Sequence, residues 1–184
     1  MPEVRVEVVV KELVVTHNGN FYSPADPGEM GTKIRRLSVT SLETEILAEV
    51  ARGHRVLEIG TGLGVSTVAL AKDAEYVWTI DPDPWVQENV WPDLTDTGKV
   101  TTAHQVPDVE LQSLWFTLAF VDGDHGYDSV LADLEAVKRL ILPMCPVLMH
   151  DYKYTGVVTA AKDSGFQVIR EFGGPCNMAL GVLG

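Results

Sequence analysis

Apolar residues along this chain recur at two spacings, alternate positions in some stretches and every third or fourth position in others, and the switches between them mark out its elements. Val4, Val6, Val8 and Val10 alternate with Arg5, Glu7 and Val9, and Val14 and Val15 precede Asn18, Gly19 and Asn20. This pattern predicts a strand or hairpin over the first twenty residues. Phe21 to Lys33 holds Pro24, Pro27, Gly28 and Gly31 among polar neighbours, the composition of an exposed loop placed to cover a site. Thr40 followed by Glu43 forms a capping box, and Leu42, Ile46, Leu47 and Val50 repeat at helical spacing until Gly53, which predicts a helix from about Ser41 to Arg52.

Beyond that helix, short apolar runs alternate with helical stretches. Arg55 to Ile59 reads as a strand, followed by a glycine turn and a helix carrying Val68, Leu70 and Ala71. Tyr76 to Ile80 predicts a strand, Pro84 to Val90 a short helix, Lys99 to Ala103 a strand, and Phe116 to Val121 a continuous apolar strand. Ser129 to Ile141 puts Val130, Leu131, Leu134, Val137 and Leu140 on one helical face; Val147 to Met149 is again a strand and Val157 to Ser164 a helix. Phe166 to Phe172 and Met178 to Leu183 are two strands joined by Gly173, Gly174 and Pro175, a link short enough for an antiparallel hairpin. Strands and helices of these lengths in alternation predict an α/β fold with a mostly parallel sheet covered on both faces. The chain reads as one domain over residues 1–184, with residues 1–36 as an N-terminal hairpin and loop extension.

Composition narrows the partners. A chain of 184 residues that is 46% hydrophobic can bury one sizeable core. Its 26 acidic against 14 basic residues give a formal charge of -12, which disfavours nucleic acid and anionic membrane, whose affinity comes from neutralising phosphates. Cys145 and Cys176 lie in different segments without CxxC spacing, so both are expected to be buried thiols rather than a disulfide or a zinc site. Charges at Glu3, Arg5, Glu7, Lys11 and Glu12 leave no apolar signal core near the start, and a cytoplasmic protein is expected.

The main chemical signal is Val56-Leu57-Glu58-Ile59-Gly60-Thr61-Gly62-Leu63-Gly64-Val65-Ser66-Thr67. A strand that reverses into a helix while a ligand approaches its backbone needs residues without a Cβ, and Gly60, Gly62 and Gly64 supply them at the strand's C-terminal end. A dinucleotide fingerprint requires its third glycine where Val65 stands. Asp81 ends the next strand, 17 residues after Gly64, where a carboxylate can accept both hydroxyls of a ribose. Glu58 can hold a positively charged amino-acid group, directly or through water. Plainer roles exist for each: a tight connection for the glycines, a helix cap for Asp81 before Pro82, and pairing with Arg55 for Glu58.

In this order of strand, turn, helix and strand the chain resembles the class I adenosylmethionine-dependent methyltransferases from Leu37 to Leu183. The resemblance implies a Rossmann-like three-layer α/β/α sandwich whose seven-stranded sheet has an antiparallel last strand. It also implies that Glu58, Gly60, Thr61, Gly62, Gly64 and Ser66 bind the methionine part of S-adenosylmethionine, and that Asp81 and Pro82 serve the ribose. Relatives carry Gly-Asp in the turn after the next strand; here Gln105 and Val106 stand there, with Gln105 the substitute toward adenine.

A second constellation, Phe120-Val121-Asp122-Gly123-Asp124-His125-Gly126-Tyr127, falls where the fourth sheet strand ends, and Met149-His150-Asp151-Tyr152 where the fifth ends. Neighbouring parallel strands bring Asp122, Asp124, His125, His150 and Asp151 together beside the glycine turn. This stretch is similar to small-molecule O-methyltransferases related to the catechol and caffeoyl-coenzyme A enzymes. The similarity implies Asp122, also at the cofactor, with His150 and Asp151 as ligands for Mg²⁺. It places His125 where catechol-type relatives carry their lysine base, and an imidazole can accept a hydroxyl proton at neutral pH. Asp122, Asp124 and His125 are the catalytic candidates, against a helix-capping role for Asp124 and His125. Pro143, Met144, Cys145 and Pro146 replace the Pro-Gly-Gly turn of relatives. His54 and His104, and Trp85, Trp91 and Trp115, read as surface or packing residues.

The expected reaction is therefore O-methylation of a small hydroxylated acceptor, with a homodimer as the expected assembly. Three alternatives stand beside it: aminopropyl transfer or N- or C-methylation on the same fold, a binding protein that kept the cofactor pocket without catalysis, and a NAD-dependent dehydrogenase.

Overall fold

The computed structural model describes residues 15–17, 20–22, 39–95, 98–105, 116–173 and 176–184. Val15–His17 (β1) and Asn20–Tyr22 (β2) pair antiparallel. The predicted strand from Val4 to Val10 lies outside the described residues. So does the predicted loop except Phe21 and Tyr22, which belong to β2.

Ser41–Ala51 forms the first helix, α1. Thr40 accepts from the Glu43 backbone N–H and Glu43 reaches back to the Thr40 N–H at 2.7 Å, so the capping box read from the sequence is present. Then follow Arg55–Ile59 (β3), Val65–Asp73 (α2), Tyr76–Ile80 (β4), Pro84–Asn89 (α3), Trp91–Thr95 (α4) and Val100–Ala103 (β5). Leu118–Val121 (β6), Tyr127–Leu140 (α5), Pro146–Met149 (β7), Thr155–Asp163 (α6), Phe166–Phe172 (β8) and Met178–Leu183 (β9) complete the chain.

Seven strands form one sheet in the order β5-β4-β3-β6-β7-β9-β8. β9 runs antiparallel to both its neighbours, β7 and β8, and the other pairings are parallel. The chain leaves β3 toward β4 and β5 on one side, then returns to lay β6 on the other. The C-terminal ends of β3 and β6 thus flank a topological switch point, where open α/β sheets bind ligands.

Strand alternation divides the core. Val56, Val77, Leu118 and Phe120 join Leu47, Ala51, Leu70 and Leu94 on the face of α1, α2 and α4. Leu57, Ile59, Ile80, Ala119 and Val121 join Val130, Leu134, Val157 and Ala161 on the face of α5 and α6. This period of two also sends Glu58, between Leu57 and Ile59, to the α2 side.

Four details differ from the sequence reading. Phe116 makes only an isolated bridge to Ile141, so β6 is shorter than the apolar run. The helix after β6 begins at Tyr127 rather than Ser129, because Gly126 takes the N-cap position without a side-chain bond. Trp91–Thr95 adds a helix that a proline at its second position had hidden. Cys176 is buried as expected, but Cys145 is half-buried because it sits in the turn between α5 and β7.

Candidate functional site

The turn after β3 holds three glycines for different reasons. At Gly60, with φ 94°, a Cβ would lie 2.2 Å from the Asp122 carbonyl oxygen, so the turn presses directly against the end of β6. At Gly62, with φ 51°, a Cβ would meet nothing within 4 Å, and the turn faces open space there. Gly64 caps α2 and packs closely on Val90 and Leu94.

Asp81 lies at the tip of β4 and faces this turn. One carboxylate oxygen accepts the Gly62 N–H at 2.9 Å, and the other accepts the Asp83 N–H, also at 2.9 Å. Asp83, not Asp81, caps α3 by accepting from the Trp85 N–H. Pro82 follows Asp81, and Gln105 is exposed just past β5, one strand further out; neither they nor Asp81 lines the cavity described below.

Glu58 is fully buried behind the turn. Its Oε2 accepts the Thr67 hydroxyl at 2.5 Å, while Oε1 has no hydrogen-bond partner among the described residues. Pairing with Arg55 does not occur, because residues three apart on a strand point to opposite faces. Burial, opposed by hydroxyls of Ser66, Thr67 and Thr79, pushes the Glu58 carboxyl up to about 7.

A cavity of about 510 Å³ opens over the turn. Gly60, Thr61, Gly62 and Ser66 form its floor, and Asp122, His125, His150, Asp151, Lys153 and Tyr154 one wall. Thr40, Glu43 and Asn177 continue that lining, Glu43 against His150 and Asn177 against Asp151. Strand order explains the convergence, since β3, β6, β7 and β9 are adjacent.

His150 stands at the centre of the polar cluster. Nδ1 is 3.0 Å from Asp122 and 3.3 Å from Asp151, and Nε2 is 3.3 Å from Glu43. Neither ring nitrogen makes a well-directed hydrogen bond, so these contacts are ion pairs rather than linear bonds. Burial would lower the imidazole, but the three carboxylates overcome it and push His150 up to about 12. Glu43 feels burial first too, yet His150, the Thr40 and Asn177 backbone N–H groups and the Thr40 hydroxyl hold it down to about 2. Burial raises Asp122 in spite of His150. Asp151 is held low by His150, His125 and Asn177 against its own burial.

His125 Nε2 lies 2.9 Å from Asp151, and its ring stacks on Tyr154 at 5.4 Å. Its backbone rests against α6, where a Cβ on Gly156 would come within 2.6 Å of the His125 carbonyl oxygen. Asp151 adopts φ 52°, a left-handed conformation that Asp tolerates better than most residues, and Asn177 Nδ2 donates to it at 2.6 Å. Atoms of Asp122, His125 and Asp151 lie within 4.8 Å of one another, so the three residues offer a cation donor set. His150 Nδ1 contacts the same two carboxylates, at 3.0 Å and 3.3 Å. Asp124 is turned away, accepting from Ser129 at 2.8 Å beside the start of α5.

Sequence reasoning missed Glu43, Asn177, Lys153 and Tyr154 as site residues. Glu43 carried a signal, the capping box, but its second oxygen accepts the Asn177 N–H at 3.0 Å across 134 positions, which no local pattern shows. His54 bonds Thr117 at 3.0 Å and His104 is exposed, both outside the site as expected. Trp91 packs on the core and Trp85 is 39% exposed, whereas Trp115 lies outside the described residues.

A family model described as a methyltransferase domain matches residues 57–152, from β3 through the end of β7. The O-methyltransferase TomG from Streptomyces achromogenes, solved with SAM, superposes with a TM-score of 0.64 at 19% identity over 86% of this chain and 91% of its own. An O-methyltransferase from Bacillus cereus, solved with SAH, gives 0.67 at 15% identity over 84% and 86%. The tRNA methyltransferase TrmI from Aquifex aeolicus gives 0.60 at 17% identity over 80% and 70%. No curated protein sequence matches the chain.

Proposed function

We propose, since this chain belongs to the methyltransferase domain family, that it transfers a methyl group from S-adenosylmethionine to a hydroxyl of a small acceptor. The observation that carries this reading is the open face at Gly62, at the floor of a cavity whose far wall holds a histidine against a carboxylate. Adenosylmethionine supplies a methyl carbon bonded to a sulfonium, and the electrons of that bond return to sulfur when the acceptor oxygen takes the methyl. The Gly60 to Ser66 floor would hold its methionine part and Asp81 its ribose, leaving Gln105 beside the adenine.

His125 takes the hydroxyl proton as oxygen attacks. Asp151, at 2.9 Å, holds the imidazole and stabilises the charge it gains, while stacking on Tyr154 limits ring rotation. Orientation of the two reactants supplies most of the acceleration. Two of the related structures are O-methyltransferases and one methylates tRNA. The acidic balance of the chain favours a small acceptor over the last.

A second reading rests on the Asp122, His125 and Asp151 donor set. Two carboxylates and an imidazole suit Mn²⁺, Fe²⁺ or Zn²⁺ better than Mg²⁺, which prefers oxygen throughout. In that reading His125 is occupied as a ligand and does not serve as base.

Calorimetry separates these readings. Adenosylhomocysteine should bind the chain and NAD should not, and Asp81→Ala should weaken the nucleoside at least about tenfold by removing both its ribose grip and its bond to Gly62. His125→Ala should leave that affinity intact and slow turnover about 10²- to 10⁴-fold, the usual worth of a positioned general base. Undiminished nucleoside binding in Asp81→Ala rejects the site. Turnover that depends on added Mn²⁺ or Zn²⁺ favours the second reading.

A further inference from the structure

Glu58 is the buried ionisable group that the mechanism above leaves without a partner. It sits immediately behind the glycine turn, fully buried, with one oxygen bonded to Thr67 and the other without a hydrogen-bond partner among the described residues. The groups around it are hydroxyls, Ser66 and Thr67 from α2 and Thr79 from β4. A formal charge acting on it is another carboxylate, Asp122 at the end of β6, which opposes its ionisation. A carboxylate buried without a cation is costly, so such a group stays protonated or awaits a cation from outside. Ser66 connects it to the cavity, since its hydroxyl acts on the Glu58 carboxyl and the residue lines the floor.

Resting on the cofactor reading above, we infer that Glu58 senses cofactor charge: its carboxyl is protonated over the empty turn and releases that proton to solvent when adenosylmethionine binds, but not when adenosylhomocysteine does. The two nucleosides share an ammonium and a carboxylate and differ by the sulfonium, which gives the methyl donor one additional positive charge. Transfer of the methyl removes that charge, Glu58 regains its proton, and the product loses an electrostatic partner that the donor had. Glu58 is thus a specificity-determining residue that favours donor over product. Burial already holds this carboxyl near the point where a modest change in local potential switches its state.

The test is titration calorimetry of the full chain with each nucleoside in phosphate and in imidazole, buffers that differ in ionisation enthalpy, at pH 6, 7 and 8. Adenosylmethionine should bind with a buffer-dependent enthalpy that reports net proton release. Its affinity should tighten between pH 6 and 8, by no more than about tenfold per pH unit for one proton, while that of adenosylhomocysteine changes little. Glu58→Gln retains His125 and His150, so their protons subtract out, and in this variant the difference between the nucleosides should vanish. If Glu58→Gln does not fold, infrared difference spectra of the native chain replace it, and a protonated-carboxyl band should be lost on binding the donor only. Equal, buffer-independent binding of both nucleosides overturns the inference while leaving the cofactor site standing. No binding of either overturns the cofactor reading and this inference with it.

Discussion

Gly60→Ala should cost this chain a large share of its stability, whereas Gly62→Ala, two residues on, should be tolerated by the fold. The added methyl at position 60 would overlap the Asp122 carbonyl oxygen at 2.2 Å, its carbon at 2.6 Å and the Gly123 nitrogen at 2.9 Å. All three are backbone atoms that cannot rotate aside. Relief requires β3 and β6 to separate where Asp122 N–H donates to the Ile59 carbonyl at 2.9 Å, and it pulls on the Gly60 N–H bond to the Ile80 carbonyl of β4, also 2.9 Å. The left-handed φ of 94° adds strain for any residue with a Cβ. Overpacking contributes about 1–3 kcal/mol and the backbone conformation about 1–2 kcal/mol, a large share of a typical domain's margin.

At Gly62 nothing lies within 4 Å of the added methyl, so only the backbone strain of φ 51° remains. That methyl would instead project into the open space where the proposed function seats the nucleoside. Urea unfolding should show a large loss for Gly60→Ala and at most about 2 kcal/mol for Gly62→Ala, while calorimetry should show weakened nucleoside binding in the stable variant. Equal stability of the two would mean that the contact with Asp122 does not hold β3 against β6.

The difference between these glycines marks how far the sequence could be read. Their spacing announced a turn that a ligand approaches, and it followed the run Arg55 to Ile59, which forms a strand over those same residues. What spacing does not carry is which glycine faces a neighbouring strand and which faces open space, since that depends on β6 arriving from sixty positions away. Asp122, His125, His150 and Asp151 were legible as a group because they follow two apolar strands, and parallel order brings such ends together. Their pairing was not legible. His150 is ringed by three carboxylates because α1 brings Glu43 to the cluster beside Asp122 and Asp151, and β9 brings Asn177 onto Glu43 and Asp151. Contacts of this kind depend on tertiary register, which leaves no local pattern.

His150→Leu should be the second costly change, and its cost should depend on pH in a direction that the cluster fixes. The imidazolium lies within 3.3 Å of Glu43, Asp122 and Asp151, and it is mostly buried. Removing it leaves three carboxylates facing one another with only His125, Thr40 and Asn177 in support. Breaking a buried ion pair by deleting one partner costs about 3–5 kcal/mol, because the charge left behind is uncompensated.

The folded value of His150, about 12, is raised above its ordinary 6.5. Its contribution is therefore complete below about pH 6.5 and is lost progressively as pH rises toward 12. Glu43 is depressed to about 2 from 4.5, so its contribution is complete above about pH 4.5 and disappears as pH falls toward 2. Both act fully between pH 4.5 and 6.5, and there the gap in unfolding free energy between the native chain and His150→Leu should be widest. Below pH 4 the carboxylates left by the substitution take up protons and the gap should narrow. Glu43→Gln added to His150→Leu should recover part of the loss at pH 6, since it removes one uncompensated charge while its amide oxygen still accepts one of the two backbone N–H groups, that of Asn177 or of Thr40. A gap that stayed constant from pH 6 down to pH 3, or a double variant no more stable than the single, would show that His150 fills space at this junction of α1, β6 and β7 without clamping it by charge.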